Sequence, residues 1–120
     1  MAAQPRFTCS ATQSGEHAVV SMSGELDLST APQLRGTVVD LIDTGVRHVV
    51  FDLSGVSFLD STALGMLLRS FERIRTVGGR MAVVLGDPSV RRVFKLTQLD
   101  EVLPLYDSLA QAEAALLAAV

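Results

Sequence analysis

The residues best placed for chemistry lie in Phe58-Leu59-Asp60-Ser61-Thr62-Ala63-Leu64-Gly65-Met66, where an apolar run stops and a long amphipathic stretch begins. Asp60 has an N-cap side chain, a carboxylate able to accept a hydrogen bond from a first-turn N–H that has no partner inside the helix. Ser61 and Thr62 then fill the first two helical positions. They stand beside the positive end of the helix macrodipole, where a phosphate group is electrostatically favoured. The chemistry this suits is phosphorylation of a hydroxyl, at Ser61 or, as the alternative acceptor, Thr62. Capping alone accounts for the types of Asp60, Ser61 and Thr62. Gly65 needs a further reason, because glycine costs about 1 kcal/mol relative to alanine inside a helix. A close approach by something outside the helix would supply it.

Other chemistries lack their parts. A serine nucleophile needs an activating base and an oxyanion site, and Ser61 has no Gly-x-Ser-x-Gly elbow around it. The two histidines, His17 and His48, fall at a turn and a strand start, neither near Ser61 in sequence. Gly78-Gly79 closes a helix instead of opening one, and no Gly-x-x-x-x-Gly-Lys is present. Cys9 is the single cysteine, with no second thiol and no nearby histidine, so it reads as a small apolar strand residue. Asp52 follows a buried strand, as the acceptor of a phospho-receiver domain would. The acidic pair and the strand-ending lysine of such a domain are missing. Neither a cofactor nor a metal is expected.

The elements that must position Asp60 and Ser61 follow from length and pattern. A chain of 120 residues is one domain, 1–120, long enough to bury a core without disulfides or metal. With 13 acidic and 10 basic side chains, a net charge of -3 and scattered Lys and Arg, it is not expected to bind nucleic acid. The N-terminus lacks the apolar core of a secretory signal, and no apolar run approaches the roughly 18 residues of a membrane span. A soluble, cytoplasmic protein is the expectation.

Phe7–Thr12 and Ala18–Ser23 read as an antiparallel hairpin joined by 13–17, with His17 a solvated turn residue. Residues 24–29 read as a loop. Thr30-Ala31-Pro32-Gln33 looks like a capping box opening a helix whose buried face carries Leu34, Val38, Leu41 and Ile42 and which Gly45 stops. His48–Leu53 has the near-continuous apolar pattern of a strand covered on both faces, and is therefore central. The helix from Ser61 turns Leu64, Leu67, Leu68, Phe71, Ile74 and Val77 to the core. It ends at Gly78-Gly79 and leaves Thr62, Met66, Arg69 and Arg73 as a stripe toward solvent. Met66 is the apolar member of that stripe and, beside Ser61 and Gly65, suggests a partner's footprint. Met81–Leu85 is a second buried strand, parallel to the first. Asp87-Pro88 caps a short helix with Val90, Val93 and Phe94 inside and Arg91, Arg92 and Lys95 solvated. Val102–Tyr106 is a short edge strand, since Pro104 has no N–H to donate. A last helix carries Leu109, Ala112, Leu116 and Ala119 on one side, with no disordered tail after it. The fold class is α/β, a mixed sheet of about five strands with about four helices packed against it.

With Gly24-Glu25-Leu26-Asp27, Thr30 and the Phe58–Gly65 stretch in this order, the whole chain resembles STAS domains of the bacterial anti-sigma factor antagonist family. The resemblance implies a regulatory binding protein, not an enzyme. In that family the unphosphorylated form binds an anti-sigma factor serine kinase and so releases a sigma factor for transcription. The kinase phosphorylates the serine after the motif aspartate, here Ser61 after Asp60, and a PP2C-type serine phosphatase resets it. Gly24, Glu25, Leu26 and Asp27 match the loop beside that serine. Together with Thr30, Asp60, Thr62, Gly65, Met66 and Arg69 they form the expected partner-binding set, on a monomer. Ala63 stands where many relatives have glycine, which implies a tighter fit against the kinase. The alternative is a STAS scaffold that is not phosphorylated, or a small-ligand or nucleotide-binding module of a sensory complex.

Overall fold

The computed structural model describes residues 6–118. Its elements run β1 (Thr8–Ser14), β2 (His17–Leu26), α1 (Ala31–Asp43), β3 (His48–Leu59), α2 (Ser61–Thr76), β4 (Arg80–Leu85), α3 (Pro88–Leu96), a 3-10 turn at Leu99–Glu101, β5 (Leu105–Tyr106) and α4 (Leu109–Ala118). The five strands lie in chain order in one sheet. β1 and β2 pair antiparallel, and every later pair is parallel. This is the expected mixed sheet with four α-helices.

β3 is central because both its faces are buried. Val49, Phe51 and Leu53 point into the larger core under α1, α2 and α3, which holds Leu34, Leu67 and Phe94. Val50 points the other way, into a smaller core with Ala82, Val84 and α4's Ala112 and Leu116. Two covered faces favour apolar residues, hence the near-continuous apolar run, with Asp52 the polar exception near its end. Cys9 is half-buried in β1 against the larger core. Asp87 caps α3 as expected, its carboxylate accepting from the Ser89 N–H at 2.8 Å. Ala119 and the end of the chain lie outside the described residues.

Several expectations are corrected. The stretch Gly24–Leu26 is not loop but the end of β2, and β3 runs on past Leu53 to Leu59. Ser54 and Gly55 interrupt the apolar pattern without ending the strand. The β2–β3 register shifts twice, between Ser21 and Ser23 and between Gly24 and Glu25, so the chain bulges and continues. Each shift accommodates one extra residue of β3, which is why Ser57 and Phe58 are both exposed in succession. The hairpin turn is correspondingly shorter, and His17 opens β2 with its Nε2 buried.

Thr30 forms no capping box. Its hydroxyl accepts from the Asp27 N–H at 2.8 Å and points back to the Glu25 carbonyl at 3.0 Å. In the stripe of Thr62, Met66, Arg69 and Arg73 the two arginines are exposed as expected, whereas Thr62 and Met66 are half-buried, because α2 also packs against α1. Ser70 is buried while Leu68 and Phe71 are only half-buried, a rotation of the buried face toward α1, and Val77, expected in the core, is exposed just past the end of the helix. The last strand shrinks to Leu105–Tyr106, because the Val102 and Leu103 N–H groups donate back to the Leu99 carbonyl at 3.1 and 2.8 Å, closing the 3-10 turn at Leu99–Glu101.

Candidate functional site

The site forms where β2 and β3 both end. Leu26 and Leu59 are register partners, and the Asp60 N–H reaches the Leu26 carbonyl at 3.3 Å, so the two following segments leave the sheet side by side. Asp60 then works twice. Its Oδ1 accepts from the Ala63 N–H at 2.9 Å, capping α2, and its Oδ2 accepts from the Leu28 N–H at 3.1 Å. One carboxylate thereby ties the helix start to the loop at 27–30.

Asp27 orders that loop from within. Its Oδ1 accepts from the Ser29 hydroxyl at 2.7 Å and from the Ser29 and Thr30 N–H groups at 3.0 and 3.2 Å. The Ser29 hydroxyl, with the two backbone donors and against some desolvation, holds the Asp27 carboxyl below the ordinary aspartate value. The Asp27 carbonyl accepts from the Ala31 N–H at 2.8 Å, so Asp27, not Thr30, organises the start of α1.

On this platform Ser61 is exposed at the first position of α2 and Thr62 is half-buried behind it. Gly65 lies one turn on. A methyl group there would meet nothing of this chain except the flexible end of Arg69, at 3.3 Å, so internal packing does not require glycine. Gly24 and Leu26 are buried and shape the strand end, whereas Glu25, Asp27, Thr30, Asp60, Gly65 and Met66 are partly open and Arg69 is exposed. Gly24 has a φ of 92°, and a side chain there would press on the Arg6 carbonyl at 2.9 Å.

Two residues outside the expected set flank the serine. Leu28 is 70% exposed and Phe58 49% exposed, one on the clamped loop and one at the end of β3. Leu28 carried a signal in the sequence, an apolar residue between Asp27 and Ser29; Phe58 did not, because only the bulge turns it outward. The surface at Ser61 is therefore apolar at its margin, acidic at Asp27 and Asp60, and bare at Gly65.

The histidines are far from it. His17 and His48 are register partners at the starts of β2 and β3, with His17 Nε2 and His48 Nδ1 buried and without a hydrogen-bond partner among the described residues. His48 and Leu59 pair with the two ends of His17–Leu26, whose nine steps at about 3.3 Å each put the histidines on the order of 30 Å from the end of β3 that leads into Ser61. No imidazole can serve Ser61 as a base. Among the described residues no group of three His, Cys, Asp or Glu side chains could hold a metal ion, and no helix is long and apolar enough to cross a membrane.

Residues 8–112 match the STAS domain family. The chain is 34% identical over 91 residues to the anti-sigma F factor antagonist of Paenibacillus polymyxa, covering 75% of this chain and 78% of that one. It is 30% identical over 86 residues to the anti-sigma-B factor antagonist of Bacillus subtilis, covering 72% and 78%. The crystal structure of an anti-sigma factor antagonist from Mycobacterium paratuberculosis superimposes with a TM-score of 0.85 at 34% identity, over 97% of this chain and 98% of that one.

Proposed function

Since the chain belongs to the anti-sigma factor antagonist family of STAS domains, we propose that its unphosphorylated form binds an anti-sigma factor serine kinase and that phosphorylation of Ser61 switches this binding off. Binding releases a sigma factor for transcription, and a PP2C-type serine phosphatase restores the active form. The protein acts in the cytoplasm as a monomeric binding partner, not as an enzyme.

The observation that carries this reading is the setting of Ser61: exposed at a helix start held by Asp60, between the open side chains of Leu28 and Phe58 and one turn from bare Gly65. Ser61 is favoured over Thr62 as the acceptor because it is the more exposed hydroxyl. A phosphate adds about -1.5 to -2 charges at neutral pH. At the positive pole of α2 it leaves the fold intact. Beneath a partner, beside Asp27 and Asp60, it must be desolvated against like charge. A loss of roughly 4 kcal/mol weakens binding about a thousandfold, which suffices for a switch.

The test is to incubate the protein with ATP and its candidate kinase, locate the phosphate by fragment-ion mass spectrometry, and pull down both forms. Ser61→Ala should take no phosphate and stay bound, while Ser61→Asp should fold normally and bind poorly. An unmodified Ser61 with every candidate kinase would transfer the case to a scaffold or ligand-binding role.

A further inference from the structure

The groove between α1 and α2 is walled by three arginines, Arg35 from α1 and Arg69 and Arg73 from α2, over a floor of Val38, Met66 and Ser70. It encloses about 210 Å³. No acidic side chain lines it. The ion pairs among the described residues are Arg75 with Glu72 and Arg91 with Asp107, so none of the three groove arginines has a carboxylate partner there. Arg69 and Arg73 are one turn apart on the same helix, a like-charge spacing that is unfavourable by itself, and Arg35 adds a third positive charge from across the groove. The chain as a whole is acidic, at -3, so this concentration of positive charge runs against its balance.

We propose that this groove binds a small multivalent oxyanion carrying two or three phosphate or carboxylate groups. Guanidinium forks suit both groups, since each can accept a pair of parallel N–H donors. At about 210 Å³ the groove has room for several waters and so for a small anion in their place. Half-buried Met66 and buried Val38 give the anion an apolar floor that excludes water from one side, which strengthens the charge pairing. This site is separate from the phosphorylation of Ser61 and holds whether or not that serine is modified. The two meet at Arg69, whose guanidinium lies beside Gly65.

Titration with pyrophosphate, tripolyphosphate, citrate and a hexaglutamate peptide, followed by the arginine side-chain N–H signals in NMR and by calorimetry, tests the assignment. The expected result is saturable binding of pyrophosphate, tripolyphosphate or citrate with a Kd at or below about 1 mM, with shifts at Arg35, Arg69 and Arg73. The phosphate and citrate arms show which anionic group is preferred. Arg35→Gln or Arg73→Gln should weaken binding at least about tenfold. Both residues are exposed, and melting curves check that the fold is kept. Replacing Arg92 and Lys95 on α3 with Gln removes the same kind of charge elsewhere and should change nothing. The proposal is overturned if neither phosphates nor citrate saturates the site, if the groove variants bind normally, if the α3 variant loses binding equally, or if only the acidic peptide binds.

Discussion

Asp60 uses its two carboxylate oxygens on two different segments, so its removal should be felt in both. Asp60→Ala loses the cap of α2, worth about 0.5–2 kcal/mol, and also frees the Leu28 N–H. Urea unfolding should show that loss, and hydrogen exchange should show the Leu28 amide opening faster than the amides of β3. Asp27 makes a prediction in pH. Its folded value is depressed by the Ser29 hydroxyl and the backbone donors, so the ionised carboxylate favours the ordered loop at every pH above the ordinary aspartate value of about 3.9. That contribution is lost as pH falls below it and through the depressed value. The Ser29 and Thr30 amide signals should therefore move only in that acid window. Asp27→Asn should abolish the movement; an unchanged titration in that variant would assign it to another carboxylate.

At the scale of elements, the two glycines of the site should behave oppositely. Gly24→Ala forces a side chain onto a φ of 92° and against the Arg6 carbonyl, and should destabilise the fold by about 1–3 kcal/mol. Gly65→Ala meets only the movable end of Arg69 and should stabilise α2 by up to about 1 kcal/mol. The same substitution should weaken the proposed kinase complex about tenfold or more. Thermal unfolding and calorimetry separate the two effects, and an unimpaired complex would remove Gly65 from the interface. Element order, the parallel pairing of β3 with β4 and the buried run of β3 were legible in the sequence, because apolar periodicity reports burial directly. The continuation of β2 and β3 was not, since Ser54-Gly55 looks like an end and is a bulge. The lean of α2 toward α1 was equally hidden. Periodicity marks a helix's apolar face but not which of two neighbours covers it, so Ser70 was missed, and Val77 was read as core although the helix stops at Thr76. Asp60 and Ser61 were visible from the start as a cap and a first-turn hydroxyl, whereas the Asp60 clamp on Leu28 joins positions 32 residues apart and no local pattern shows it.

For the whole molecule, the proposed switch needs no rearrangement. The sheet and both cores lie behind the site, and the serine projects from their edge at the start of α2. Phosphate placed there changes the charge a partner meets without changing the surface that carries it. The most direct measurement is the affinity of the purified protein for the proposed anti-sigma factor kinase, taken by calorimetry on the unmodified form and on a form carrying a single phosphate at Ser61. The prediction is a fall of about a thousandfold, roughly 4 kcal/mol, with amide signals shifting only around 27–30 and 58–66. Equal affinity of the two forms would contradict the account.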